Sequence, residues 1–174
     1  MSKVIIFPTD TVYGIGTPIF DVEGIKRIYE IKHRDLSKPL ACLCADINQI
    51  KSIACIDKRE EELINKYLPG ALTLICKAKP QVTEKIGYKT IGVRIPDNLI
   101  ALDLLRSNGP MLTTSVNESG HAPLNEYDEI VKEYSNLVDF IYNTNTVSSN
   151  ISSTVVLCTE DKLKIIRQGQ IYIE

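Results

Sequence analysis

The chain has 174 residues, 44% of them hydrophobic and 24% charged, which is enough to bury a core without disulfide or metal staples. The net charge of −2 lacks the basic excess of a protein that tracks the phosphates of a duplex. Tryptophan is absent and aromatic residues are 6%, so the core is expected to be aliphatic, and the stacking motifs of single-strand RNA readers are missing.

In chain order, residues 3–8 read as a strand. The apolar run inside it, from Val4 to Phe7, is too short for a signal-peptide core or a membrane span, and the expectation is a cytoplasmic protein. Residues 9–20 read as a glycine-containing loop. Asp21 is placed to cap a helix that carries Val22, Ile25, Ile28 and Tyr29 at 3.6-residue spacing. Residues 40–45 are strand-like. Asp46 with Gln49, and Asp57 with Glu60, have capping-box spacing, and the second of these helices should end near Pro69-Gly70.

Residues 71–78 and 90–95 alternate as strands do. A helix is expected from Asp97 through Leu105, stopping at Asn108-Gly109. A strand over 111–116 then empties into a polar loop, 117–125, followed by a helix over 128–134. The tail reads as strands over 139–143, 153–159 and 163–167, the last two joined by a turn at 160–162. Such alternation, with an all-strand tail, predicts one α/β domain over 1–174 with a twisted mixed sheet flanked by helices.

The five cysteines include no C-x-x-C pair, and Cys42 and Cys44 would share one strand face; buried, reduced thiols are expected, with no metal site. His33 and His121 lack the spacing of a metal pair or triad. There is no G-x-x-x-x-G-K-[ST] loop, and Gly14-Ile15-Gly16-Thr17-Pro18 does not continue as a dinucleotide fingerprint.

Three polar stretches carry the candidate chemistry. Lys32, Arg34 and Lys38 form the densest cationic run, at a helix C-terminus; they either converge on a polyphosphate or complement the helix dipole and face solvent. Arg94 shares a strand face with Thr90 and Gly92, and either forks onto a ligand carboxylate or pairs with a structural Asp or Glu. Thr113-Thr114-Ser115-Val116-Asn117 leaves a strand as a row of small donors and acceptors, suited to close approach of a nucleotide or to ordinary turn caps.

Taken together, the stretches carry more than any one does alone. Phe7-Pro8-Thr9-Asp10-Thr11-Val12-Tyr13-Gly14, Lys32-His33-Arg34 with Lys38-Pro39-Leu40, Pro69-Gly70-Ala71-Leu72-Thr73, Val93-Arg94-Ile95-Pro96, Thr114-Ser115-Val116-Asn117, Ser153-Thr154-Val155-Val156 and Ile166-Arg167-Gln168-Gly169 occur in one order along the chain. These blocks resemble the signature motifs of the YrdC family, in its single-domain synthase branch. Asp35, Val116, Leu157 and Gln168 depart from the family's usual residues, and none of them removes a charge or hydroxyl assigned to the chemistry.

The resemblance implies an L-threonylcarbamoyladenylate synthase, a nucleotidyltransferase. Threonine amine and bicarbonate or CO2 give a carbamate whose oxygen attacks the α-phosphorus of ATP, and pyrophosphate leaves. It further implies that Lys32 and Arg34 hold the phosphates and the developing charge, with Lys38 beside them. Arg94 would clamp the threonine carboxylate, with Thr9 and Ser153 near the amino acid. Thr90, Thr113, Ser115 and Asn117 would line the nucleotide, and Arg167 would close over the phosphates. Mg2+ is expected with ATP, and a tRNA-modifying transferase complex would receive the product. The alternative is an RNA-binding protein of the same fold without synthase activity.

Overall fold

The computed structural model of the protein describes residues 2–144, 148–158 and 161–174. Thr159 and Glu160, which belong to the expected strand 153–159 and turn 160–162, lie outside the described residues. The first strand, β1 (Ile5–Phe7), pairs antiparallel with β2 (Gly14–Pro18), in the stretch expected to be loop. Two glycines and a proline give β2 little strand propensity, but pairing with neighbours on both edges overrides that preference. At Gly16 a Cβ would come within 2.7 Å of Thr113 Oγ1, so the close approach of the neighbouring strand requires glycine there.

Asp21 caps α1 (Val22–Lys32) by accepting from Gly24 N. After β3 (Ala41–Leu43), Asp46 caps α2 (Ile47–Ile53), but only half of the expected capping box forms. The Gln49 amide instead accepts from Ala45 N and donates to Leu105 O, which ties α2 to a later helix. A two-residue strand, β4 (Ala54–Cys55), precedes α3 (Lys58–Tyr67), where Asp57 and Glu60 make the complete box. β5 (Leu72–Ala78) leads into α4 (Pro80–Ile86), a helix the sequence pattern does not announce because it begins on a proline with no side-chain cap.

The next elements are β6 (Thr90–Arg94), α5 (Leu99–Asn108), β7 (Met111–Ser115) and α6 (Tyr127–Tyr134). Asn98, rather than Asp97, caps α5, accepting from Ala101 N at 3.1 Å. The tail adds β8 (Phe140–Ile141), β9 (Thr154–Cys158) and β10 (Leu163–Arg167). The strands form one mixed sheet in the order β10-β9-β5-β6-β3-β7-β2-β1-β8, with β4 on β5. Parallel pairs β1–β8, β3–β6 and β5–β9 sit among antiparallel neighbours.

The two faces of the sheet are covered unequally, and this positions the site. Most helices pack on one face, where Ile28, Ile50, Ile64, Val82 and Ile130 meet Cys42, Leu74, Val93, Leu112 and Val156. Each such fully buried aliphatic side chain contributes about 1.5–3 kcal/mol through removal of apolar area from water. On the other face α5 covers only one end, with Ala101, Leu104 and Leu105 against Ile5, Phe7, Leu43 and Met111. Three of the five cysteines are buried as expected, whereas Cys55 is exposed and Cys158 only partly covered, each near the end of a strand.

Candidate functional site

Beside α5, on the half-covered face, lies a cavity of about 320 Å³, within the usual size of a small-molecule site. Strand alternation supplies its floor. Thr90, Gly92 and Arg94 of β6 point into it while Ile91 and Val93 point into the core. Thr113 and Ser115 of β7, Thr73 of β5 and Val155 of β9 lie on the same face.

Arg94 is 6% exposed and lies in an interior strand. Its Nε donates to Gly70 O at 3.0 Å and Nη1 to Thr11 Oγ1 at 3.0 Å, while Nη2 forms an ion pair with Asp10. Three of the five N–H groups of the guanidinium are thereby engaged. Asp10, which belongs to the opening motif block, anchors this cation. Thr9 is buried and donates its hydroxyl to Val12 O at 2.6 Å, a local turn bond that fixes the 9–12 segment.

Arg167 reaches the cavity from β10. Its Nε donates to Ser153 O at 3.0 Å and Nη2 to Ser153 Oγ at 3.2 Å, and Ser153 Oγ in turn bonds Thr73 Oγ1 at 2.8 Å. The residue as a whole is exposed, yet this guanidinium end is tucked into the wall, and burial lowers its proton affinity from the usual arginine value. For Arg94 burial is the main lowering influence; Asp10 opposes it and the Arg167 charge adds to it. Two mutually repelling guanidiniums, of which Arg94 is paired with Asp10, leave the cavity suited to an anion. Arg34 lines the same cavity, its guanidinium held by Lys38 O at 3.1 Å and Pro39 O at 3.0 Å.

Eight of the eleven expected residues therefore surround one cavity: Thr9, Arg34, Thr90, Arg94, Thr113, Ser115, Ser153 and Arg167. Lys32, Lys38 and Asn117 do not line it. Lys38 is exposed, one residue before the lining Pro39. Lys32 matches neither a solvated helix end nor a free phosphate ligand, because it is 1% exposed. Its Nζ donates to Ser115 O at 2.5 Å, Asn117 O at 2.8 Å and Asn117 Oδ1 at 2.7 Å. Burial, with the nearby Arg34 charge, pushes its pKa down to about 8. Asn117 also accepts from Ser115 Oγ at 2.7 Å and donates to His121 O at 2.5 Å, so its amide is held from both ends.

The model of the Sua5/YciO/YrdC domain, described as telomere recombination, matches residues 1–169. The chain belongs to the Sua5/YciO/YrdC family. A relative in Methanocaldococcus jannaschii, provisionally named a threonylcarbamoyl-AMP synthase, is 36% identical over 173 residues, 99% of this chain and 83% of that one. The crystal structure of Pyrococcus abyssi Sua5 complexed with L-threonine superposes with a TM-score of 0.87 at 31% identity, over 96% of this chain and 50% of that one. Escherichia coli YciO superposes with a TM-score of 0.87 at 29% identity, over 97% of this chain and 84% of that one. The chain thus spans about half of the Sua5 protein, and the family's shared domain accounts for nearly all of its own length.

Sequence reasoning passed over Asp10, Thr11 and Thr73 as site members, although all three lie inside the quoted motif blocks. The missing signal was the ion pair, which joins positions 84 residues apart.

Proposed function

We propose that this chain is an L-threonylcarbamoyladenylate synthase, which forms threonylcarbamoyl-AMP and pyrophosphate from L-threonine, bicarbonate or CO2, and ATP. The observation that carries the reading is the pairing of Arg94 and Arg167 across one sheet-face cavity. The cavity needs an anion, and threonine and ATP together bring a carboxylate and a triphosphate. A relative crystallised with L-threonine shares the fold over that cavity.

In this reading the two remaining N–H groups of Arg94 take the threonine carboxylate, with Thr9 and Ser153 beside the amino acid. Thr90, Thr113 and Ser115 border the nucleotide. Arg34 and Arg167 neutralise the phosphates as the carbamate oxygen bonds to the α-phosphorus and pyrophosphate departs with the electron pair of the broken P–O bond. Alignment and charge neutralisation suffice for such a transfer without a covalent nucleophile. Lys32 acts from behind the wall by fixing Ser115 and Asn117, and Lys38 supplies an exposed charge near Pro39. Among the described residues no carboxylate lines the cavity, and Asp10 is committed to Arg94. Magnesium therefore enters as part of the MgATP substrate.

The product then passes to a transferase complex that modifies adenosine in tRNA, which sets the work in the cytoplasm. No helix among the described residues is long and apolar enough to cross a membrane. The names of the relatives favour a synthase over an RNA-binding module of the same fold. The test is incubation with ATP, threonine and bicarbonate. Pyrophosphate release should require both cosubstrates and yield the adenylate. Release from ATP alone, unchanged by either cosubstrate, refutes the reading, and salt-sensitive RNA retention without turnover would replace it.

A further inference from the structure

Away from the cavity, on the helix-covered face, two thiols and a carboxylate converge. β5 and β9 run parallel, with Leu74 opposite Val156 and Ile75 opposite Leu157. One step further along the same register, Cys76 and Cys158 stand side by side across neighbouring strands. Glu60, in the first turn of α3, lies over them. The two Sγ atoms and a Glu60 carboxylate oxygen are all within 4.8 Å of one another, the one such group of three among the described residues.

The carboxylate is held there by construction. Glu60 is 6% exposed, and Oε2 accepts from Asp57 N at 2.5 Å, so the capping box that starts α3 also fixes its carboxylate above the sulfurs. A carboxylate taken out of water against two thiols is costly unless a cation answers it. Thiolate and carboxylate are zinc ligands, at about 2.3 Å for sulfur and about 2.0–2.2 Å for oxygen, and tetrahedral geometry then sets ligand atoms roughly 3.5–4 Å apart. A spread below 4.8 Å needs only a small inward movement to reach it.

Charge and access agree with this arrangement. Two thiolates and a carboxylate offset a divalent cation and leave one surplus negative charge, and Arg59 lies close enough to act on both Glu60 and Cys158. Asp57 faces the group as well and adds the opposite sign. Cys158 is only partly covered, which leaves a side for entry of the ion and for a water as fourth ligand. None of the three residues lines the cavity.

We propose that Cys76, Cys158 and Glu60 form a site for one thiophilic divalent cation, zinc first, which clamps α3 to β5 and β9. The two thiol protons pass to solvent as the ion binds, and no oxidant or reductant is involved. This inference stands independently of the synthase reading.

The experiment uses the full chain, reduced and checked by mass for unmodified thiols, then loaded with zinc, desalted and assayed for retained metal, with a parallel cobalt(II) sample read by absorption. Near-stoichiometric zinc and a thiolate-to-cobalt charge-transfer band are expected. Cys158→Ala and Glu60→Gln should each weaken binding about tenfold or more, the Gln variant retaining the helix cap, while Cys55→Ala binds as the parent does. No retained zinc, a cobalt spectrum without the thiolate band, undiminished binding by Cys158→Ala, or equal loss in Cys55→Ala overturns the proposal. So does a loss of two hydrogens on air exposure of the zinc-loaded protein that peptide mapping assigns to a Cys76–Cys158 disulfide, formed in place of a bound ion.

Discussion

An ammonium has three N–H donors, and Lys32 gives all three to the end of β7 and the residue two beyond it. The Lys32 carbonyl accepts from Ser119 N, so α1 and the chain leaving β7 hold each other from both sides. Removing the amine takes a donor from the Ser115 and Asn117 carbonyls and leaves the Asn117 amide oxygen with Ser115 Oγ. Lys32→Met is therefore expected to cost about 2–4 kcal/mol in urea unfolding, with turnover falling as Ser115 and Asn117 lose their support. A surface lysine would cost nearly nothing. The pH dependence follows from the depressed pKa of about 8 against 10.5 for a free lysine. Between those values the folded chain binds fewer protons than the unfolded one, so this group's contribution to stability rises with pH there and is level outside the window. The advantage of the parent over Lys32→Met should grow between pH 8 and 10.5, and an advantage that shrank across that range would contradict burial as the cause. Arg94 shows the companion case. A buried pair with Asp10 is a weak source of net stability but a strong constraint on where both groups point.

At the scale of elements, the aspartate caps and most strands were legible because they rest on local chemistry. Asp21, Asp46 and Asp57 each accept the backbone N–H three residues on, a bond that the sequence spacing already specifies. β2 and α4 were not legible. Their support comes from strands on either side in one case and from a proline start without a side-chain cap in the other. Eight of the eleven residues named from the motif blocks line the cavity, but the blocks did not show that Lys32 turns inward, because its acceptors lie 83 and 85 residues away. The junction after β10 shows the same dependence on distant partners. Thr154 Oγ1 donates to Ile171 O at 2.8 Å and accepts from Gly169 N at 2.9 Å, drawing the tail across β9. A Cβ at Gly169 would meet Ser152 O at 2.4 Å and Thr154 N at 2.6 Å, both main-chain atoms that cannot step aside cheaply. Gly169→Ala is expected to destabilise by about 1–3 kcal/mol and to lower turnover by displacing Arg167. Melting and pyrophosphate release on one preparation test both, and an unchanged melting temperature would contradict the crowding.

At the scale of the whole molecule, one face of the sheet is occupied by most of the helices and the other is left to α5 and the cavity. The wall farthest from α5 is the least supported. β10 is the terminal strand, every one of its residues is exposed, and Leu163, Ile165 and Ile166 remain 37%, 47% and 52% accessible. Yet this strand carries Arg167, one of the three arginines that line the ligand space. Among the strands that wall the cavity, the cheapest local opening is therefore the detachment of β10, and occupancy by an anion bridging Arg167 to Arg94 must oppose it. Among the strands that wall the cavity, amide deuterium uptake should accordingly be fastest in peptides from 163–167, and ATP with threonine should slow it there before it slows the helix-backed strands. Uptake in those peptides indifferent to both ligands would mean that the strand is no door.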